Sequence, residues 1–89
     1  MKGYLYIIQS LKNNSYYIGS TTNLESRINQ HNHGQTKSTK YKKPYKLVFN
    51  QEFSTINDAH KAELKIKKWK QKAYIEKIIE DGKMFSVGP

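Results

Sequence analysis

The 89-residue chain contains no cysteine, two prolines and a single arginine, Arg27. The absence of cysteine excludes a disulfide framework, a thiolate zinc site and a cysteine nucleophile. No segment approaches the roughly 20 consecutive apolar residues of a membrane span. The N-terminal segment also lacks the apolar stretch and the small-residue cleavage site of a signal peptide. We therefore expect a cytoplasmic protein with no membrane partner.

Signatures of nucleotide cofactors are missing as well. The chain has neither a G-x-x-x-x-G-K-[ST] phosphate loop nor a G-x-G-x-x-G fingerprint, so we expect no small-molecule cofactor. Carboxylates are too sparse for a two-metal nuclease, because Glu25 is the only acid before Glu52. Phosphodiester hydrolysis here would use one cation on an oxygen ligand, an arginine for the phosphate charge, and a base other than a carboxylate.

Positive charge, by contrast, is abundant. Fifteen lysines and one arginine face seven acids, which gives a net charge of +9. Such a balance favours a polyanion as partner, because neutralising phosphates releases counterions; a lysine-rich surface without a specific partner is the alternative. Arg27 offers a planar fork for phosphate that lysine cannot copy. The lysines that we expect to contact nucleic acid are Lys37, Lys40, Lys42, Lys43, Lys67 and Lys68.

The order of apolar patterns predicts an α+β fold. Residues 3–10 and 16–19 are aromatic and β-branched runs on either side of an asparagine-containing turn, which predicts an antiparallel hairpin. Residues 45–53 add a third strand, so we expect a small three-stranded antiparallel sheet flanked by about three helices. Helical spacing and end signals place these helices at about 23–33, 56–72 and 73–81. We expect residues 1–82 to form a single domain and residues 83–89 a C-terminal tail.

The first helix carries recognisable end signals. Thr22 and Glu25 have the spacing of a capping box, with Thr22 as the N-cap residue, and Gly34 is placed to end the helix. Arg27 and His31 are four residues apart, so they lie on one side of the helix. The other two histidines, His33 and His60, are expected to be exposed and without a role.

Residues 4–31 resemble the core of a GIY-YIG nuclease domain. Tyr4-Leu5-Tyr6 stands in the position of the GIY tripeptide, and Tyr17-Ile18-Gly19 is an intact YIG tripeptide. Arg27 follows where the family has its catalytic arginine, His31 lies one turn later, and Glu63 matches the metal-binding glutamate. Residues 41–48 and 66–69 resemble the small stand-alone bacterial branch of this family, labelled UvrC-like or UPF0213, and the resemblance covers nearly the whole chain. Excision-repair members have a lysine directly after YIG, where this chain has Ser20.

The resemblance implies a metal-dependent endonuclease that hydrolyses DNA phosphodiesters, directed by DNA structure rather than sequence, in repair or recombination. It implies that Tyr6, assisted by Tyr17, activates a water, although which tyrosine acts as the base stays open. Arg27 would hold a phosphate oxygen, and His31 would orient the water or contact phosphate. Glu63 would bind one Mg²⁺ or Mn²⁺ ion. We expect the side chains of Tyr6, Tyr17, Arg27 and Glu63 to open into one basic groove.

Two other functions are compatible with the sequence. The chain could keep the nuclease fold but cleave poorly, acting as a nucleic-acid-binding accessory protein. It could instead be a lysine-rich partner of an acidic protein, in which case nucleic acid would not compete for its surface. Metal binding at Glu63 separates the nuclease from a pure binder.

Overall fold

The computed structural model describes residues 1–35, 40–69 and 72–82. Within these ranges it contains three strands and three helices: β1 Gly3–Ser10, β2 Tyr16–Thr21, α1 Leu24–Asn32, β3 Tyr45–Phe53, α2 Ile56–Trp69 and α3 Lys72–Asp81. The predicted α+β class, with its three antiparallel strands and three helices, is confirmed. Lys37 and the predicted tail at 83–89 lie outside the described residues, and the domain boundary at residue 82 stays a prediction.

β1 is the central strand of the sheet. It pairs antiparallel with β2 on one side and with β3 on the other, giving the order β2-β1-β3. In the turn between β1 and β2, Asn14 has φ of 64°, a left-handed conformation that asparagine tolerates better than most residues. Because β1 lies in the middle, β2 is an edge strand of the sheet.

The two faces of the sheet bury different side chains, because successive residues of a strand point to opposite sides. Leu5 and Ile7 belong to the larger core, together with Ile66 of α2 and residues of α3. Tyr6 belongs to a smaller cluster on the other face, against which Ile28 of α1 packs. Each fully buried aliphatic side chain contributes roughly 1.5–3 kcal/mol of transfer free energy. The helices α2 and α3 therefore cover one face, and α1 covers the other.

The start of α1 differs from the predicted capping box. The N-cap residue is Asn23, in an extended conformation, and its side-chain oxygen accepts from the backbone N–H of Ser26 at 3.1 Å. Because β2 runs two residues further than predicted, to Thr21, the helix begins one residue later and Thr22 lies before the cap. Glu25 then stands two residues after the cap, so the predicted capping box with Thr22 is wrong.

The other helix ends lie within three residues of the predicted positions. α1 ends at Asn32, and Gly34 beyond it has φ of 74°, as expected for a residue that ends a helix. α2 stops at Trp69, earlier than predicted, and α3 begins at Lys72. In the described part of the chain, none of the helices combines the length and the apolar character that a bilayer crossing requires.

Candidate active site

Tyr6 lies at the centre of the candidate site. It occupies the middle of β1, on the face covered by α1, and is only 1% exposed. Its ring lies over Gly19 of β2: a Cβ atom on Gly19 would stand 2.4 Å from the Tyr6 hydroxyl oxygen and 2.5 Å from Cζ. Any side chain at position 19 would push the ring away, so the glycine of the YIG tripeptide provides the space for Tyr6.

The Tyr6 hydroxyl links two residues of α1. It lies 2.9 Å from Nε2 of His31, and Nε of Arg27 donates to it at 3.4 Å. Arg27 and His31 reach the same oxygen because a spacing of four puts them on one side of the helix. Arg27 also donates from Nη1 to Gln30 at 2.9 Å, which fixes the plane of the guanidinium.

Burial and charge keep His31 neutral. Its side chain is fully buried, and burial, followed by the positive charge of Arg27, lowers the pKa of His31 to about 4. A neutral Nε2 can accept the single hydroxyl proton of Tyr6, while the Tyr6 oxygen accepts from Arg27. Burial raises the pKa of Tyr6 above 10, against the opposing effect of Arg27. Tyr6 therefore keeps its proton at neutral pH.

Tyr17 stands beside this group and is more exposed than Tyr6. Its ring centroid is 4.9 Å from that of His31 and 6.4 Å from that of Tyr6. The pKa of Arg27 is raised by its hydrogen bond with Tyr6, and Tyr17 also contributes to the rise. Tyr17 is therefore a half-buried phenol that lies next to both His31 and Arg27.

Glu63 comes from the opposite layer of the molecule. It lies on α2, with its side chain 11% exposed, and its carboxylate accepts from the Ser20 hydroxyl at 2.6 Å and from Nζ of Lys67 at 2.7 Å. Nδ1 of His60 lies 3.5 Å from the same carboxylate. Burial would raise the pKa of the Glu63 carboxyl, but the hydrogen bonds from Lys67 and Ser20 outweigh burial and lower this pKa.

The two groups of residues meet at the edge of the sheet. Tyr6, Tyr17, Arg27 and His31 are in mutual contact on the α1 face, whereas Glu63 is held on the α2 face. The link is Lys67, whose Nζ bonds to Glu63 and lies 5.7 Å from the centre of the Tyr17 ring. The negative charge of Glu63 also contributes to the raised pKa of Tyr6. Contrary to expectation, Tyr6 is buried and does not open into a common groove; the contact between the two groups runs through Tyr17 and Lys67 at the β2 edge.

The lysines assigned to nucleic acid fall into two groups. Lys40, Lys42 and Lys43 are exposed in the segment before β3, where the backbone carbonyl of Lys42 accepts from Ser10 at 2.6 Å. This segment leads directly to Tyr45, whose ring centroid is 6.1 Å from that of His31. On α2, Lys68 is exposed, but Lys67 is engaged with Glu63.

Sequence reasoning missed four residues of this arrangement, namely Gly19, Ser20, His60 and Lys67 as a partner of Glu63. His60 is exposed, as expected, yet it lies beside the Glu63 carboxylate. The signal was present for His60 and Lys67, because they stand three residues before and four residues after Glu63 on a predicted helix. The contacts of Gly19 and Ser20 depend on strand register and on where α2 packs, which the sequence does not specify.

A hard divalent cation fits this site through one carboxylate. The described residues contain no group of three or more His, Asp or Glu side chains that could hold a metal. Mg²⁺ is commonly bound by one or two carboxylates, with waters and substrate phosphate completing the shell. Glu63 could supply such an oxygen ligand, and the Ser20 hydroxyl donates a hydrogen bond to its carboxylate.

Comparisons with known proteins show which family this chain is similar to. Residues 2–77 match the model of the GIY-YIG catalytic domain. A UPF0213 protein of Staphylococcus haemolyticus is 40% identical over 80 residues, covering 89% of this chain and 96% of its own. A UPF0213 protein of Bacillus subtilis is 39% identical over 77 residues, covering 82% and 77% respectively.

A solved structure shares the fold. The solution NMR structure of a UPF0213 protein from Bacillus halodurans superposes with a TM-score of 0.57 at 29% identity, covering 92% of this chain and 87% of that one. The family match at residues 2–77 spans the three strands, α1, α2 and the first part of α3. This chain therefore belongs to the GIY-YIG nuclease domain family, and within it to the small UPF0213 proteins.

Proposed function

We propose that this protein is a metal-dependent endonuclease that hydrolyses a phosphodiester bond of DNA, recognising DNA structure rather than sequence, and that it serves in repair or recombination in the cytoplasm. The observation that carries the proposal is the hydrogen-bonded group of Tyr6, Arg27 and His31 beside the half-exposed Tyr17. A fixed guanidinium next to a solvent-accessible phenol combines a phosphate ligand with a base. The net charge of +9 supports DNA as the partner.

Arg27 is the phosphate ligand in this proposal. Its guanidinium has five N–H donors, and its bonds to Tyr6 and Gln30 fix its orientation while leaving further donors. A positively charged, preorganised fork stabilises the charge that develops on a non-bridging phosphate oxygen in the transition state. Lysine at this position would keep the charge and lose the planar geometry.

Tyr17 is a better candidate than Tyr6 for the base that activates water. Tyr6 is buried, its hydroxyl is already shared between His31 and Arg27, and burial raises its pKa. A base must come within hydrogen-bond reach of the water it deprotonates, and Tyr17 has the greater access to solvent. Tyr6 and His31 then act as positioning residues for Arg27 and Tyr17.

Glu63 is the residue that would hold Mg²⁺ or Mn²⁺, with Ser20 fixing its carboxylate. A divalent cation held there would supply positive charge near the oxygen that leaves phosphorus. No second acid is required for this, since one carboxylate, waters and the substrate phosphate suffice for a hard cation.

The test is cleavage of branched, flapped and single-stranded DNA in Mg²⁺ by the wild type and by the variants Arg27→Ala and Glu63→Gln. Loss of one transition-state contact to phosphate is expected to lower the single-turnover rate by about 10²-fold or more. Glu80→Gln on α3 and Lys61→Met on α2 are matched controls, because both residues are exposed. Cleavage that survives in both site variants would remove Arg27 and Glu63 from the mechanism.

A nucleic-acid-binding accessory protein is the second candidate. One observation favours it: Lys67 already neutralises Glu63 in this structure. This function predicts salt-sensitive binding of the same DNA substrates, with no turnover in Mg²⁺ or Mn²⁺. Metal-dependent cleavage that disappears in Glu63→Gln would exclude it.

A further inference from the structure

Lys67 occupies the position at which a metal would bind Glu63. Its Nζ lies 2.7 Å from one carboxylate oxygen, and the Ser20 hydroxyl occupies the other at 2.6 Å. The lysine side chain is 42% exposed, whereas that of Glu63 is 11% exposed. Within the ion pair, the Glu63 carboxylate is therefore mostly shielded from solvent, whereas the Lys67 side chain is partly exposed to it.

A divalent cation and this ammonium group cannot both hold the same carboxylate oxygen without repelling each other. Two unit charges about 4 Å apart still interact appreciably near a protein surface, and a charge-assisted hydrogen bond is about twice as strong as a neutral one. Lysine has a long flexible stem with several rotatable bonds. Nζ also lies 5.7 Å from the centre of the Tyr17 ring, and the Lys67 side chain is 42% exposed, so solvent can receive the ammonium group when it leaves Glu63.

We propose that Lys67 is an internal counterion of the metal site, which holds the Glu63 carboxylate in the metal-free protein and must be released before a divalent cation binds. This inference rests on the proposed role of Glu63 as the metal ligand. The sequence predicts DNA contact for Lys67, whereas this inference assigns it to the control of metal binding. The free energy of breaking the Lys67–Glu63 pair is subtracted from that of metal binding, so the wild-type protein binds metal weakly.

The experiment is a titration of the purified protein with Mn²⁺, with free Mn²⁺ measured by electron paramagnetic resonance and without any DNA. Lys67→Met is expected to bind Mn²⁺ about tenfold more tightly than the wild type, since a bond to a charged group has been removed. Lys67→Arg, which keeps the charge, should remain weak. Lys61→Met is the matched control, because it removes the same charge from an exposed position of the same helix; it should bind like the wild type.

Two results would overturn the inference. Equal Mn²⁺ affinity in the wild type and Lys67→Met, with both abolished by Glu63→Gln, would show that Lys67 does not compete, while leaving the proposed metal site intact. Mn²⁺ binding that is unaffected by Glu63→Gln in any background would remove Glu63 as the ligand, and the inference would fail together with the proposed metal site. Circular dichroism of each variant establishes that the helices are retained.

Discussion

Tyr6 and Tyr17 have the same chemistry but different surroundings. Tyr6 is enclosed by Gly19, His31 and Arg27, and Tyr17 borders the same group while retaining access to solvent. A buried hydroxyl with two partners is suited to fixing the positions of its neighbours. A partly exposed one is suited to meeting water.

Replacing each tyrosine by phenylalanine separates these roles. Tyr17→Phe is expected to lower the single-turnover rate of DNA cleavage by about 10²-fold or more, because the proposed base is lost. Tyr6→Phe should lower the rate less and reduce the free energy of unfolding by about 1–3 kcal/mol, because Nε2 of His31 loses its buried partner. Rates and urea unfolding curves measure the two effects. A near wild-type rate for Tyr17→Phe would reject it as the base.

The buried imidazole predicts a pH dependence of stability. Burial and Arg27 lower the pKa of His31 to about 4 in the folded protein, whereas the pKa of a histidine in the unfolded chain is about 6.5. Between these two pH values the unfolded chain therefore binds a proton at His31 that the folded protein does not bind. The contribution of His31 to the free energy of unfolding is fully present above about pH 6.5, decreases as the pH falls from about 6.5 to about 4, and does not change further below about pH 4. The expected loss is about 3 kcal/mol.

His31→Gln removes the titrating group and keeps an acceptor near Tyr6, so it should flatten the unfolding free energy between pH 6.5 and 4. Urea unfolding at several pH values measures the profile. His33→Gln is the control, since His33 is exposed at the end of α1. A profile that stays equally steep in His31→Gln would show that another group is responsible.

At the scale of elements, substitutions at the start of α1 test which residue caps the helix. Asn23→Ala is expected to lower the free energy of unfolding by about 1 kcal/mol, because the N–H of Ser26 loses its acceptor. Thr22→Ala, one residue earlier, should change stability by no more than a few tenths of a kcal/mol. Urea unfolding of the two variants decides between them, and the opposite order would restore the capping box.

The elements were predictable because their local signals agree. Aromatic and β-branched runs mark the strands, and the spacing of Ala59, Ala62 and Ile66 marks α2. The cap was less predictable, since Thr21, Thr22 and Asn23 are three consecutive residues able to cap a helix, and the length of β2 decides among them. Strand length is set by pairing with β1, which is a tertiary property.

The candidate site was predictable only in part, and for a related reason. Arg27 and His31 share a helix, so their proximity follows from their spacing. The burial of Tyr6 depends on the strand order, which puts β1 at the centre of the sheet. The contact of Glu63 with Ser20 depends on how α2 packs against β2. The pair of Glu63 with Lys67 follows from a spacing of four on α2, but positive charge alone had assigned this lysine to DNA.

At the scale of the whole molecule, the site joins two layers that the sheet separates. The α1 layer contributes Arg27 and His31, the α2 layer contributes Glu63 and Lys67, and Tyr17 on the edge strand lies between them. In the proposed mechanism, this edge position brings groups from opposite faces to one phosphate bound across β2.

Whether Arg27 and Glu63 act on the same phosphate is measured by a double-mutant cycle in single-turnover cleavage of flapped DNA. The four proteins are the wild type, Arg27→Ala, Glu63→Gln and the variant with both changes. If both groups stabilise one transition state across the β2 edge, the double variant loses at least about tenfold less than the product of the two single losses. Losses that multiply to within about twofold would mean that the two faces of the sheet act independently, and would contradict a single active site.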